Sequence, residues 1–183
     1  DREKALRIVN IFKSLYEEPS ILKVGQNIKY DYEVLCNYGV RIGGKMWDTM
    51  LAHYIIQPEL KHNMDDMAEQ VLHYKTIHIE ELIGPKGKGQ KNMADLKPEE
   101  IYEYAAEDAD VTLKLKNVLQ PKLKEVEGAK LFEDIEMPLV PVLADMEMNG
   151  VCIDTEALKE TSRIFTERMN DYEQRVYTEA GER

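Results

Sequence analysis

Apolar residues recur at helical spacing between Arg2 and Glu18, where Ala5, Leu6, Ile8, Val9, Ile11, Phe12, Leu15 and Tyr16 predict an amphipathic helix closed by Pro19–Ser20. The run Ile21–Gln26 is too short for a helix and reads as a strand. A short helix is expected over Tyr30–Tyr38, with Asn37 and Gly39 as its stop. "VRIGGKMWDTM" supplies a second short strand, then a helix from about Trp47 to Ile56 with Asp48 or Thr49 as its cap. Pro58 interrupts the pattern. It restarts behind Asn63 as N-cap, with Met64, Met67, Ala68, Val71 and Leu72 as the buried face. Gly84–Asn92 reads as a flexible basic loop. Pro98 opens a helix to about Leu119, which Pro121 kinks or ends. "FEDIEMPLVPVLADMEMNG" is an apolar-striped helix containing Pro138 and Pro141. Its Ile135, Leu139, Val142, Leu143 and Met146 are assigned to packing, as is Cys152. Asp154 or Thr155 caps a last long helix to about Ala180. Helices dominate, and two short strands do not make a stable sheet by themselves.

Composition narrows the function. The 183 residues are 43% hydrophobic, which suits a globular core, and no apolar run approaches the ~20 residues that cross a bilayer. The charged amphipathic stretch "DREKALRIVN" lacks the apolar core that a secretion signal carries. Cys36 and Cys152 belong to no C-x-x-C pattern and read as buried free thiols in a reducing compartment, so the cytoplasm is the expected location. The net charge of −11 argues against binding nucleic acid through a basic face, unless divalent cations sit between a carboxylate cluster and a phosphodiester. His53, His62, His73 and His78 show no metal-ligand spacing. Lys86, Lys88 and Lys91 lie in a glycine-rich stretch without the Gly-Lys-Ser/Thr of a phosphate loop.

Two stretches carry candidate chemistry. In "YAAEDAD", Tyr104 and Asp108 are four residues apart and share a helix face, with the small Ala105 and Ala106 between them. A carboxylate that holds a divalent ion and a phenol that orients water would suit hydrolysis. Equally, Glu107, Asp108 and Asp110 read as a solvated acidic face. In "VGQNIKYD", Asn27 is the expected N-cap of the helix carrying Asp31. The positive end of the helix dipole then favours ionised Asp31; a capping Asn and a surface Asp explain the same residues.

Together the two stretches resemble bacterial family A DNA polymerases. "VGQNIKYD" is similar to the second motif of their 3′→5′ proofreading exonuclease and "YAAEDADVTLKL" to the third. "WDTMLAHYII", "NMDDMAEQVL" and "KTIHIEELIGPKGKGQ" fall between them in the family's order, and "FEDIEMPLVPVLADMEMNGVCID" resembles the start of the polymerase region. The resemblance implies an α/β, ribonuclease-H-like exonuclease fold over residues 1–124, truncated at its N-terminus so that helices dominate, and helices opening the polymerase domain over 125–183. It implies two divalent ions, Mg2+ or Mn2+, with Asp108 and Asp31 as metal ligands. Tyr104, Asp108 and Asp31 would be catalytic. Gln26, Asn27, Tyr30 and Lys61 would meet the single-stranded or frayed 3′ end of DNA. Ile79 stands where some relatives place a base-stacking aromatic, and Lys61 where the family often has Arg, keeping the charge without the fork.

The family's first motif, an Asp-x-Glu pair on the opening strand of the sheet, is expected tens of residues before Arg2, and the segment before Val24 is the amphipathic helix of Arg2–Glu18. Asp31 and Asp108 are then half of the carboxylates that hold two ions about 4 Å apart. The expectation is a fragment of a DNA-directed DNA polymerase that starts after three strands of the sheet and is itself inactive or nearly so. The remainder of the polymerase chain would be its natural partner. Uncovered strand edges make self-association of the fragment an expectation too. Two other readings remain: a structural spacer that keeps the fold without nuclease chemistry, and an RNA 3′-exonuclease, which would have no use for Glu133–Asp154.

Overall fold

The structure, a computed structural model, describes residues 2–182 in two units, one up to Met148 and one from Asn149. In the first unit, α1 (Arg2–Glu17) is followed by β1 (Lys23–Gly25), α2 (Ile28–Asn37), β2 (Met46–Asp48) and α3 (Thr49–Ile56). Next come α4 (Met64–Met67), which widens into a π-helical turn over Ala68–Leu72, and α5 (Ile79–Ile83). A 28-residue helix, α6 (Pro98–Glu125), crosses the unit. The chain then runs through α7 (Ala129–Leu131), a second π-helical stretch (Phe132–Glu136) and α8 (Met137–Asn149). The second unit contains α9 (Thr155–Ala180) and buries none of its side chains.

β1 and β2 form a two-stranded parallel sheet, joined through α2, in the register Lys23↔Met46, Val24↔Trp47 and Gly25↔Asp48. That register fixes the local structure. Asp48 ends its strand opposite Gly25, directly before α3 and two residues from the start of α2. Its Oδ1 accepts the Met50 and Leu51 amides at 2.8 and 3.2 Å, capping α3 as expected. It also accepts the Asn27 amide at 3.3 Å, and Oδ2 accepts Ile28 N–H at 2.7 Å. One carboxylate therefore caps two helices. Gly25 lets the turn close, because a β-carbon there would lie 2.9 Å from the Ile28 side chain.

The expected cap by Asn27 is corrected by this geometry. Asn27 stands at the N-cap position in a left-handed conformation (φ 56°), and its side chain makes no cap bond. The amides it would have served are already taken by Asp48. Asn63 and Asp154 do cap as expected, through Asp66 N–H and through the Glu156 and Ala157 amides.

The core lies between α3, α6 and the π-helical stretch before α8. Val111, Leu115, Leu119 and Leu123 form one stripe of α6, and full burial of each leucine is worth about 1.5–3 kcal/mol. Trp47 packs on Phe132 with ring centroids 5.1 Å apart. Pro121 does not end α6, which continues to Glu125 around an exposed proline.

Two packing expectations fail. On α8 the buried face is Met137, Val140 and Ala144. Ile135, Leu139, Val142, Leu143 and Met146, on or just before the helix, remain exposed. A segment that is apolar on most of its circumference gives no sequence signal of which side is covered. The cysteines are not buried either: Cys36 is half-buried and Cys152 exposed. Ile8, Ile11, Phe12 and Leu15 form an uncovered apolar stripe on α1.

Asp48→Ala is expected to destabilise the chain by about 2–4 kcal/mol, the sum of two lost caps. Asp48→Asn loses part of that, because its amide group would confront Ile28 N–H. Urea unfolding followed by circular dichroism measures both, and an unchanged midpoint for Asp48→Ala would show that the double cap contributes nothing.

Candidate active site

The carboxyl end of β1 and one face of α6 open onto a cavity of about 880 Å³. The strand end contributes Gln26, the first turn of α2 contributes Asp31, and α6 contributes Ala105, Asp108, Ala109 and Thr112. The small alanines flanking Asp108 keep this part of α6 thin. Asp31 and Asp108, far apart in the chain and on either side of Met64, therefore face the same space.

Asp108 Oδ1 is buried and has no hydrogen-bond partner. Burial is the main reason its carboxyl is pushed up to about 6. The neighbouring Tyr104 phenol pulls it down, and the Glu107 and Asp65 charges raise it further. The Tyr104 hydroxyl is pushed up to about 12, first by burial and then by the Asp108 and Asp65 carboxylates. Tyr104 thus holds its proton throughout the neutral range and is available as a hydrogen-bond donor.

Asp31 corrects an expectation. It does sit in the first turn of α2, where the dipole favours charge, yet its carboxyl lies above the ordinary range. Loss of water around it is the first cause and the Asp48 carboxylate the second. Asp48 also consumes the backbone amides at that helix start, so the dipole end is already answered by a carboxylate.

The remaining expected residues are dispersed. Gln26 lines the cavity, but its side chain is engaged: Nε2 donates to the His62 carbonyl at 2.8 Å, and Oε1 accepts the Thr49 hydroxyl. Asn27 is exposed beyond the strand end, and Tyr30 is 63% exposed on α2. Lys61 is exposed on the segment before α4, its Nζ 3.9 Å from the Asp66 carboxylate. None of these three, nor Tyr104, is among the lining residues of the cavity. The triplet Asp1–Arg2–Glu3 has Asp-x-Glu spacing, but Glu3 lies exposed in the first turn of α1 and Asp1 falls outside the described residues.

Sequence reasoning missed the residues that frame Tyr104. Glu107 accepts the Tyr74 hydroxyl at 2.6 Å and Ile77 N–H at 2.7 Å. Asp65 accepts the Thr76 hydroxyl at 2.6 Å and meets His78 Nδ1 at 3.0 Å. These bonds strap segment 74–78 across α4 and α6, and the same two carboxylates raise Asp108. Glu107 read as a solvated charge because its partners are thirty or more positions away. The histidines, too, are less scattered than their spacing suggests: His53 and His62 meet through their Nδ1 atoms at 2.8 Å.

Among the described residues no group of three or more His, Cys, Asp or Glu is arranged to hold a metal ion. Asp31 and Asp108 provide two carboxylates on one cavity. The unpartnered Asp108 oxygen is the kind of hard donor that a divalent cation satisfies.

Comparison with known proteins agrees with this architecture. The family described as 3'-5' exonuclease matches residues 2–124. A DNA polymerase I from Pseudomonas aeruginosa is 42% identical over 186 residues, covering 100% of this chain and 20% of that protein. One from Rhizobium leguminosarum is 38% identical, covering 93% and 17%. The chain thus spans about a fifth of the length of these curated relatives. Among solved structures, the POL domain of Pol1 from M. smegmatis in complex with DNA primer-template and dNTP superposes with a TM-score of 0.69 at 21% identity, over 94% of this chain and 27% of that one. Brucella melitensis NrnC bound to pGG superposes at 0.61 and 19% identity, over 75% and 63%. At these identities the structural likenesses speak for the shared ribonuclease-H-like architecture alone. With the family match over two thirds of its residues and relatives along all of its length, the chain belongs to the 3'-5' exonuclease family of DNA polymerase I.

Proposed function

We propose that residues 1–124 are the part of a 3′→5′ proofreading exonuclease that carries its second and third motifs, and that residues 125–183 begin the polymerase region of the same protein. The observation that carries this reading is the convergence of Asp31 and Asp108 on one cavity, with the Tyr104 phenol beside Asp108. The substrate is the single-stranded or frayed 3′ end of DNA, and the intact parent is a DNA-directed DNA polymerase of the bacterial cytoplasm, where it serves replication and repair. No helix among the described residues is long and apolar enough to cross a membrane.

Each side chain has a separate task. Asp108 and Asp31 would hold magnesium or manganese. When bound, such an ion supplies Lewis acidity and makes water a usable nucleophile near neutral pH. Tyr104 keeps its proton and orients a water molecule as a hydrogen-bond donor. Asn27, Tyr30 and Lys61 line the solvent side, where a DNA strand would pass. Gln26 acts by fixing the strand end rather than by reaching for substrate, because both ends of its amide are already bonded.

Two carboxylates on the cavity give less charge than two ions need, which favours a chain that is inactive by itself. Purified chain is expected to trim 3′-frayed DNA no faster than Asp108→Ala. Faster trimming by the unmodified chain would overturn that expectation. Manganese at millimolar concentration should still raise the melting temperature of the chain, and should raise that of Asp108→Ala less. Equal shifts would remove Asp108 from the metal reading and favour the spacer alternative.

The raised Asp108 carboxyl also makes a stability prediction in metal-free buffer. Its folded form binds a proton more tightly than the ordinary 3.8 of the unfolded chain. That contribution is complete below 3.8 and is lost as pH rises through about 6. Asp31 shifts in the same direction. Asp108→Asn should therefore melt a few degrees above the unmodified chain at pH 7.5 and alongside it at pH 4. An advantage for the variant at pH 4 only would contradict the assigned sign.

A further inference from the structure

The segment between α3 and α4, residues 57–63, carries Lys61 and has few anchors. Gln57 N–H donates to the His53 carbonyl at 2.8 Å, and Leu60 N–H to the Gln57 carbonyl at 3.2 Å. At the far end, the His62 carbonyl accepts Gln26 Nε2 at 2.8 Å. The side chains of Asn63 and Lys61 reach Asp66 on the neighbouring α4, at 2.8 and 3.9 Å, so the anchor to α3 beyond Gln57 is a side-chain contact. His53 Nδ1 and His62 Nδ1 lie 2.8 Å apart, their rings edge to face at 5.0 Å, and the Tyr54 ring lies against His62 at 5.1 Å. His53 is completely buried on α3, and His62 is half-buried.

We infer that His53 is a positioning residue: by sharing one proton with His62 it clasps segment 57–63 to α3 and so fixes Lys61 and the His62 carbonyl, which Gln26 of the cavity lining holds. This rests on the reading above in which Lys61 faces a DNA strand. Neither histidine has been given a role by the family match or by the resemblance.

The chemistry of the contact makes it conditional. Two imidazole nitrogens at hydrogen-bond distance need one donor and one acceptor. A neutral pair provides this when one ring carries its proton on Nδ1 and the other on Nε2. A singly charged pair also provides it. A doubly charged pair points two N–H groups at one another and opens. His53 resists charging: burial lowers its basicity first, and the His62 and Lys122 charges lower it further, against the Gln57 side chain, which favours its protonated form. Of the elements packed around it, α6 brings Lys122, the segment brings His62 and Gln57, and no carboxylate is among the groups acting on His53. Acid therefore has no counter-ion there to stabilise a second proton.

Gln26 completes the arrangement. Its amide joins the His62 carbonyl to the Thr49 hydroxyl, so the end of β1, the start of α3 and the Lys61 segment are bolted together through residues 26, 49 and 62. With the imidazole contact open, Gln26 is the one long-range bond left to the segment among those described here.

The test is amide hydrogen exchange over residues 57–63 at pH 8 and pH 5.5, together with fluorescence anisotropy of a labelled oligothymidylate. His53→Leu should raise exchange in the segment about tenfold at pH 8, a loss of roughly 1.4 kcal/mol of local protection, and should remove its pH dependence. His53→Asn places an amide where Nδ1 stood and can donate or accept, so it should restore protection at both pH values. A global melting temperature for His53→Leu within a few degrees of the unmodified chain separates local opening from unfolding; His62→Leu repeats the measurement at a half-buried position. Equal exchange in the unmodified chain and both leucine variants overturns the clasp. The oligonucleotide decides the other reading separately: if Lys61→Ala leaves affinity unchanged while the exchange result holds, the role of Lys61 fails and the clasp stands.

Discussion

A single carboxylate, Asp48, accepts four backbone amides from two helices that leave the same end of a two-stranded sheet. Burial alone raises its carboxyl above the ordinary range, and those four amides oppose the shift. The balance is local but its reach is long. The direction in which α2 departs decides where Asp31 stands, and the departure of α3 decides where His53 and Thr49 stand. Parallel pairing puts Gly25 beside Asp48, and the absence of a side chain at Gly25 allows Ile28 to fold back over the strand. Were the strands slipped by one residue, Asp48 would face the other side of the sheet and neither helix would be capped.

The candidate site inherits this frame on one side and meets α6 on the other. Its electrostatics are unfavourable in the isolated chain. Asp31, Asp48 and Asp108 all lie above their ordinary carboxyl range, each mainly through loss of water. Such sites store a demand for positive charge instead of contributing to stability. The same demand makes sense of a chain with a net charge of −11 in a family that handles DNA.

Much of the fold was legible because its signals are short-range. Pro98 at a helix start, Asn63 and Asp154 as caps, and the face shared by Tyr104 and Asp108 all follow from neighbours within one turn. What escaped depends on partners distant in sequence. Asp48 reads as the cap of the helix it precedes, but its second helix begins twenty residues earlier and is reached only through strand register. Glu107 reads as solvated until segment 74–78 is laid across it. His53 and His62 look unrelated because they stand nine positions apart and the chain has to turn before the two rings meet. On α8 the apolar residues outnumber the buried positions, so pattern alone could not separate Val140 from Leu139.

The Trp47–Phe132 contact has a consequence for how the two regions are joined. Phe132 lies beyond the last residue of the family match, yet its ring rests on Trp47 of β2 within the same unit, and Met137 and Val140 follow it into the same cluster. The lineage seam and the mechanical seam of this protein fall at different residues. A chain severed at the first would leave its single tryptophan with one wall missing, so the segment after the matched region also serves as the plug of the core before it.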